Sequence, residues 1–238
     1  LFLIEEEMIL DEAISELRKG RFILIYDSDD REGETDFVIA SQYVTPEAIK
    51  TMRKKGGGLI FLMISHDIAK RFQLPFLADV YSNISDRYPV FKALVPDDIP
   101  YDTKSSFSVT LNHRNTFTGI TDIDRSLTMK RFAEIVKKTE KLSSKESVRL
   151  LGKEFRSPGH IPVCIASEKP LQNRFGHTEL VVSILKMANL TPVGSGCEIM
   201  GDNGKAMPKR EVKKFAEENG YIFLEGRDII EGWRKWLE

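Results

Sequence analysis

The sequence predicts an α/β (α+β) protein, a single compact domain over residues 1–238 with a mixed sheet flanked by helices. Three observations predict it. Segments with helical periodicity alternate with short apolar runs along the whole chain, no segment repeats, and no linker-like stretch divides them. With 238 residues, 41% of them hydrophobic and 30% charged, the chain can bury a sizeable core.

The elements follow in order. Leu10, Ala13, Ile14 and Leu17 fall on one helical face, and Gly20 ends that helix. The run F-I-L-I-Y at 22–26 reads as a buried strand. It leads into an acidic stretch at 27–36, and a second apolar run follows at 37–40. Thr45 and Pro46 suit the N-cap and first turn of a helix. Three glycines at 56–58 precede a strand expected at 59–64, and another is expected at 105–111. Residues 122–136 read as a loop running into a helix. The Lys-, Ser- and Glu-rich stretch 137–149 reads as a surface excursion. Residues 178–190 form a helix with Val181, Ile184, Leu185 and Ala188 on its apolar face. The tail alternates again, with a helix near 208–219, a strand at 221–224 and a helix at 227–237.

Composition excludes several roles. A net charge of −1, from 35 basic and 36 acidic side chains, lacks the basic excess of a nonspecific nucleic-acid binder. Cys164 and Cys197 are too few for a disulfide framework and lack metal-ligand spacing. The apolar start at 1–4 gives way to Glu5, Glu6 and Glu7, too soon for a signal segment. No apolar run is long enough for a membrane span, so a soluble, cytoplasmic protein is expected.

The acidic stretch is the first candidate for chemistry. Six of the ten residues from Asp27 to Asp36 are carboxylates, which repel one another unless something neutralises them. A solvated turn is the bland explanation. Against it, the cluster sits at strand ends, where α/β folds place ligands. Glu32, Glu34 and Asp36 also alternate, so an extended backbone would aim them the same way. Hard oxygen ligands suit Mg²⁺ or Mn²⁺. Arg31 breaks the EF-hand pattern and could instead bind substrate phosphate.

Two histidines follow glycines near arginines. R-S-P-G-H at 156–160 reads as a tight loop presenting His160. R-F-G-H-T-E at 174–179 opens a helix, where free backbone N–H groups, Arg174 and Thr178 form a phosphate cradle and His177 can reach a metal. Either histidine could be merely structural, but the paired pattern favours function. His66 and His113 have no such setting. Glu198 lies in an apolar run bracketed by Gly196 and Gly201; burial there would raise its pKa into an acid/base range, unless a salt bridge fixes it in the core.

Together these motifs resemble the 3,4-dihydroxy-2-butanone 4-phosphate synthase family of riboflavin biosynthesis, in its archaeal single-domain form. The resemblance rests on D-S-D-D-R-E-G-E-T-D (27–36), T-G-I-T-D-I-D-R (118–125), F-R-S-P-G-H (155–160), R-F-G-H-T-E (174–179) and C-E-I-M-G-D-x-G (197–204), in that order. It implies a lyase that converts D-ribulose 5-phosphate to L-3,4-dihydroxy-2-butanone 4-phosphate and formate with Mg²⁺ or Mn²⁺, up to two ions per site. It implies Glu32 and His177 as metal ligands, with Glu34 as a further one. Substrate contacts map to Arg31, Glu32, Asp36, Arg174, Gly176, His177, Thr178 and Glu198, and catalysis to His160 and Glu198. Asp36 joins these two as a proton-transfer candidate, because enolisation and formate release both need proton shuttles. The resemblance further implies a homodimer with its sites at the subunit interface, and no fused second domain.

The chain departs from the family at Phe61, where a cysteine usually follows G-L-I. Activity is expected to survive, with an altered pocket shape. Two rivals share the motifs: another divalent-metal sugar-phosphate isomerase or aldolase, and a non-catalytic phosphosugar-binding relative.

Overall fold

The computed structural model describes residues 2–238, with side chains from Met8 onward. The apolar start and the glutamates after it therefore lie outside the described side chains. The chain opens with α1 (Phe2–Arg18), β1 (Ile23–Tyr26) and β2 (Thr35–Ala40). Then come α2 (Pro46–Thr51), a π turn (Met52–Gly56), β3 (Phe61–Ile64), α3 (His66–Phe72), α4 (Leu77–Ile84) and α5 (Val90–Ala93). β4 (Phe107–His113), α6 (Asp122–Lys138), α7 (Ser144–Glu154) and β5 (Phe155–Ile165) follow. The chain closes with α8 (His177–Met187), β6 (Val193–Glu198), α9 (Lys209–Asn219), β7 (Ile222–Glu225) and α10 (Gly226–Leu237).

The strands form one seven-stranded sheet in the order β4-β5-β3-β6-β2-β1-β7. β3 runs parallel to β5 and β1 parallel to β7, while the other neighbours are antiparallel. The sheet is thus mixed, as the sequence predicts. Strand alternation sends successive side chains to opposite faces. In β1, Ile23 and Ile25 pack with Leu10, Leu17, Ile184 and Trp233 of α1, α8 and α10. Leu24 packs on the other face with Ile49, Phe132 and Val212 of α2, α6 and α9. Each fully buried aliphatic side chain contributes roughly 1.5–3 kcal/mol, so two large apolar clusters hold the sheet between its helical layers.

Capping follows the sequence signals. Thr45 accepts from the Ala48 amide, and Pro46 opens α2. The stretch 137–149 is not one irregular excursion: α6 reaches Lys138, and Ser143 with Glu146 forms a capping box that starts α7.

The run 156–160, expected as a tight loop, belongs instead to β5. Phe155 and Arg156 pair with His113 and Asn112, Ile161 and Pro162 pair with Leu111 and Thr110, and the register shifts between them. The residues between bulge from the ladder. Of β5, only Val163–Ile165 pair with β3, so Pro158 and Gly159 sit where no second strand needs their bonding. Among the described residues, no helix is long and apolar enough to cross a membrane.

Candidate active site

The acidic loop joins β1 to β2, and its shape comes from Asp27. One carboxylate oxygen accepts the Glu32 amide at 3.0 Å and the other the Glu34 amide at 3.1 Å. Glu32 therefore sits in a turn, and only Asp36 lies within β2. The even spacing of the three carboxylates does bring them together, though through a braced turn and not a single extended ribbon.

His177 begins α8 and is buried against this loop. Its Nε2 lies 3.2 Å from the Ile25 carbonyl, which can only accept, so this nitrogen donates. Its Nδ1 faces Glu32 Oε2 at 3.5 Å. In the neutral ring, Nδ1 then offers a lone pair beside a carboxylate, the usual arrangement of a ligating histidine oriented by a backbone carbonyl. One ligand atom each from Asp27, Glu32 and His177 lies within 4.8 Å of the others. Glu34 is not one of this trio, although burial and the charges of Glu32 and Glu198 raise its carboxyl.

Asp36 faces the same space. It is 1% exposed, and neither carboxylate oxygen has a hydrogen-bond partner among the described residues. Burial pushes its pKa up to about 8. For His177, burial works downward, but the Asp36 charge and the hydrogen bond with Glu32 outweigh it and lift the ring to about 10. Glu32 moves down, chiefly through that hydrogen bond to His177. Orphaned buried oxygens beside an imidazole and further carboxylates fit a hard divalent cation.

Glu198 closes β6 directly opposite Asp36 in the antiparallel pair, so both side chains emerge on one face. Its Oε2 accepts the Leu59 amide at 2.7 Å, and burial raises its carboxyl, the direction expected from the sequence. Phe61, Cys164 and Thr178 line the same cavity as Glu32, Asp36, Arg174, His177 and Glu198.

The two arginines stand over the start of α8. Arg174 Nε donates to Asp102 at 2.7 Å, and its Nη1 donates to Glu179, whose side chain is fully buried. Arg31 Nη2 reaches the same Asp102 oxygen at 3.3 Å, and its guanidinium lies 5.7 Å from the Tyr101 ring centre. Gly176 makes this possible: a Cβ there would lie 3.0 Å from both guanidinium groups. Within one chain the site thus gathers Arg31, Glu32, Asp36, Arg174, Gly176, His177, Thr178 and Glu198, with Glu34 close to it. His160 is not brought in. It is exposed on β5, whereas Cys164, four residues further along the strand and roughly 13 Å away, lines the cavity.

Sequence reasoning missed the brace made by Asp27 and the partners Asp102 and Glu179. Glu179 carries a readable signal, being an acid in the first turn of a helix that follows an arginine. Asp102 carries none, since residues 94–106 show no periodicity.

A buried acidic pocket holding an imidazole, next to paired guanidiniums at a helix start, defines the class: an enzyme that handles a small anionic substrate beside a divalent cation. The sequence matches the family described as 3,4-dihydroxy-2-butanone 4-phosphate synthase over residues 11–232. It is 44% identical to the Archaeoglobus fulgidus enzyme of that name, with 97% of each chain covered. It is 40% identical to the Methanothermobacter thermautotrophicus enzyme, covering 96% of this chain and 97% of that one. The chain belongs to the 3,4-dihydroxy-2-butanone 4-phosphate synthase family, and is a lyase of riboflavin biosynthesis. The fold agrees. A solved synthase in complex with two magnesium ions superposes with a TM-score of 0.73 at 23% identity, over 95% of this chain and 96% of that one. A two-domain synthase from A. baumannii gives 0.72 at 24% identity, over 92% of this chain and 56% of that one.

Proposed function

We propose that the chain converts D-ribulose 5-phosphate to L-3,4-dihydroxy-2-butanone 4-phosphate and formate, using Mg²⁺ or Mn²⁺, in the cytoplasm. The observation that carries this reading is Asp36: a buried carboxylate without a hydrogen-bond partner among the described residues, facing His177, Glu32 and Glu198. Glu32 and His177 would hold the cation, with Asp27 or Glu34 as a further ligand and room for a second ion among the remaining carboxylates. When bound, the cation supplies positive charge beside the substrate's carbonyl and hydroxyl oxygens.

The chain's own groups do the rest. Arg31, Arg174 and the amides at the start of α8 orient the phosphate. Asp36, pushed up to about 8 by burial, and Glu198, also raised by burial, can hold and release protons at their carboxylate oxygens, and His160 supplies a further polar group through its ring nitrogens. His160 enters the reaction if each site takes it from a second subunit. Its separation from the pocket supports that homodimer, as do the exposed side chains of Phe117 and Ile120 on the loop next to it and of Ile123 at the start of α6.

Formate release from ribulose 5-phosphate, with Mg²⁺ and with EDTA, tests the reaction. Metal-dependent formate in equal amount to substrate consumed is expected. Ketone or aldehyde products without formate would favour an isomerase or aldolase, and binding without turnover would favour a non-catalytic relative. Light scattering on the same sample tests the dimer; a fully active monomer would exclude the two-subunit site.

A further inference from the structure

We infer that Asn112 is a positioning residue that fixes the proton of neutral His160 on Nε2, so that the ring meets substrate as a hydrogen-bond donor and leaves proton abstraction to a carboxylate. The inference rests on His160 taking part in the proposed reaction.

The bulge in β5 lays His160 over Asn112 of β4, where the two strands shift register. The Asn112 side chain makes three hydrogen bonds there. Its Oδ1 accepts the backbone N–H of His160 at 2.9 Å. Its Nδ2 donates to the Thr118 carbonyl at 3.4 Å and lies 3.0 Å from His160 Nδ1. The first two bonds settle which way the amide points. Turned over, it would set an NH₂ group against a backbone N–H and one oxygen against another. With the orientation settled, Nδ2 can only donate to the ring, so Nδ1 must accept. The proton of the neutral imidazole is then on Nε2.

The amide is also held in place. Asn112 is 3% exposed. Gly119, at φ +98°, packs against it so closely that a Cβ there would lie 2.1 Å from Nδ2. The Gly119 amide is tied to the Asp124 carboxylate at 2.9 Å, and that carboxylate lies at the start of α6. The motif T-G-I-T-D thus gains a purpose: it builds the wall that locks Asn112 and, through it, the imidazole.

A neutral imidazole with Nε2–H polarises a carbonyl or hydroxyl oxygen by donating to it. It has no lone pair at Nε2 with which to remove a proton. The base must then be a carboxylate, Asp36 or Glu198.

The direct test is ¹⁵N NMR of histidine-labelled, Mg²⁺-loaded enzyme at a pH where imidazole is neutral, with His160 assigned by comparison with His160→Gln. A pyridine-like Nδ1 and a pyrrole-like Nε2 are expected; the reverse pattern overturns the inference without need of any variant. In Asn112→Asp the side chain can no longer donate, so the two ring signals should exchange character. Turnover should then fall on the order of 100-fold, with KM little changed. An exchanged tautomer with wild-type turnover would overturn the donor role. Full turnover by His160→Gln would instead remove His160 from the proposed reaction, and the donor role with it, while the spectrum would still report the tautomer.

Discussion

The two halves of the site are built on opposite terms. In the arginine cradle the cations are already answered: Arg174 by Asp102 and Glu179, Arg31 by Asp102 and the Tyr101 carbonyl. In the acidic pocket nearby, Asp36 has two buried oxygens with no donor among the described residues, and His177 sits among carboxylates that pull its pKa up. The cradle is self-satisfied within the chain, and a phosphate bound there, as proposed, would have to compete with Asp102. The pocket carries a concentration of negative charge that costs stability, and a cation relieves it. The stability cost and the chemistry coincide in one place.

The comparison can be broken most sharply at the ligands. Glu32→Ala or His177→Ala should lower metal-dependent turnover by more than the roughly 100-fold that loss of an outer-shell partner costs. Normal formate release in either variant would remove that residue from the metal site. Next comes Asp36→Asn, expected to lower turnover on the order of 100- to 1,000-fold while stabilising the metal-free protein. The sign follows from linkage. A carboxyl raised from 3.8 to about 8 on folding gains a proton across that interval, so stability falls as pH rises through it, and Asn removes the loss. Thermal unfolding in EDTA at pH 7 should show a gain of about 1–2 kcal/mol, or roughly 2–8 °C. A lower melting temperature would show that Asp36 is not a stability cost.

A smaller effect is expected in metal affinity. His177 at about 10 is protonated at neutral pH, and a ligating imidazole must lose that proton. Mg²⁺ binding should therefore release a proton at pH 7. Its affinity should rise by up to about tenfold per pH unit towards 10. Calorimetry in buffers of different ionisation enthalpy checks this, and binding heats independent of the buffer would contradict it. The smallest change tests the other half. Asp102→Asn keeps the shape but removes the competing charge, and inorganic phosphate should inhibit about fivefold more strongly, close to 1 kcal/mol. Weaker inhibition would mean that Asp102 aligns the arginines and does not compete with the phosphate.

Much of this was legible in the chain itself. Carboxylate density marks the acidic loop, because like charges gather against their own repulsion only where something repays them. His177 is marked by its place at a helix start, and Glu198 by its apolar surroundings. What stayed hidden depends on partners far away in sequence. β6 carries two glycines in V-G-S-G-C-E and becomes a strand because β2 and β3 flank it. The bulged start of β5 looks like a loop to any local rule, since only its pairing with β4 makes it a strand. Asp102 has no local signature at all, as it acts through Arg31 and Arg174 from an irregular stretch. Asn112 reads as an ordinary strand residue until His160 is laid over it.

One pairing in the sheet bears on how the protein is made. Among the described residues β1 is the first strand in chain order and β7 the last, yet the two are parallel neighbours, with Ile23 opposite Ile222. The acidic loop leaves directly from β1, and Gly226, just past β7, packs against the carbonyl of Asp27. A chain emerging from the ribosome therefore carries an unpaired β1 edge until β7 has been made. The loop gains the backing of Gly226 only after β7 has been made. A chain broken before Ile222 keeps an open β1 edge, and its acidic loop lacks the Gly226 contact.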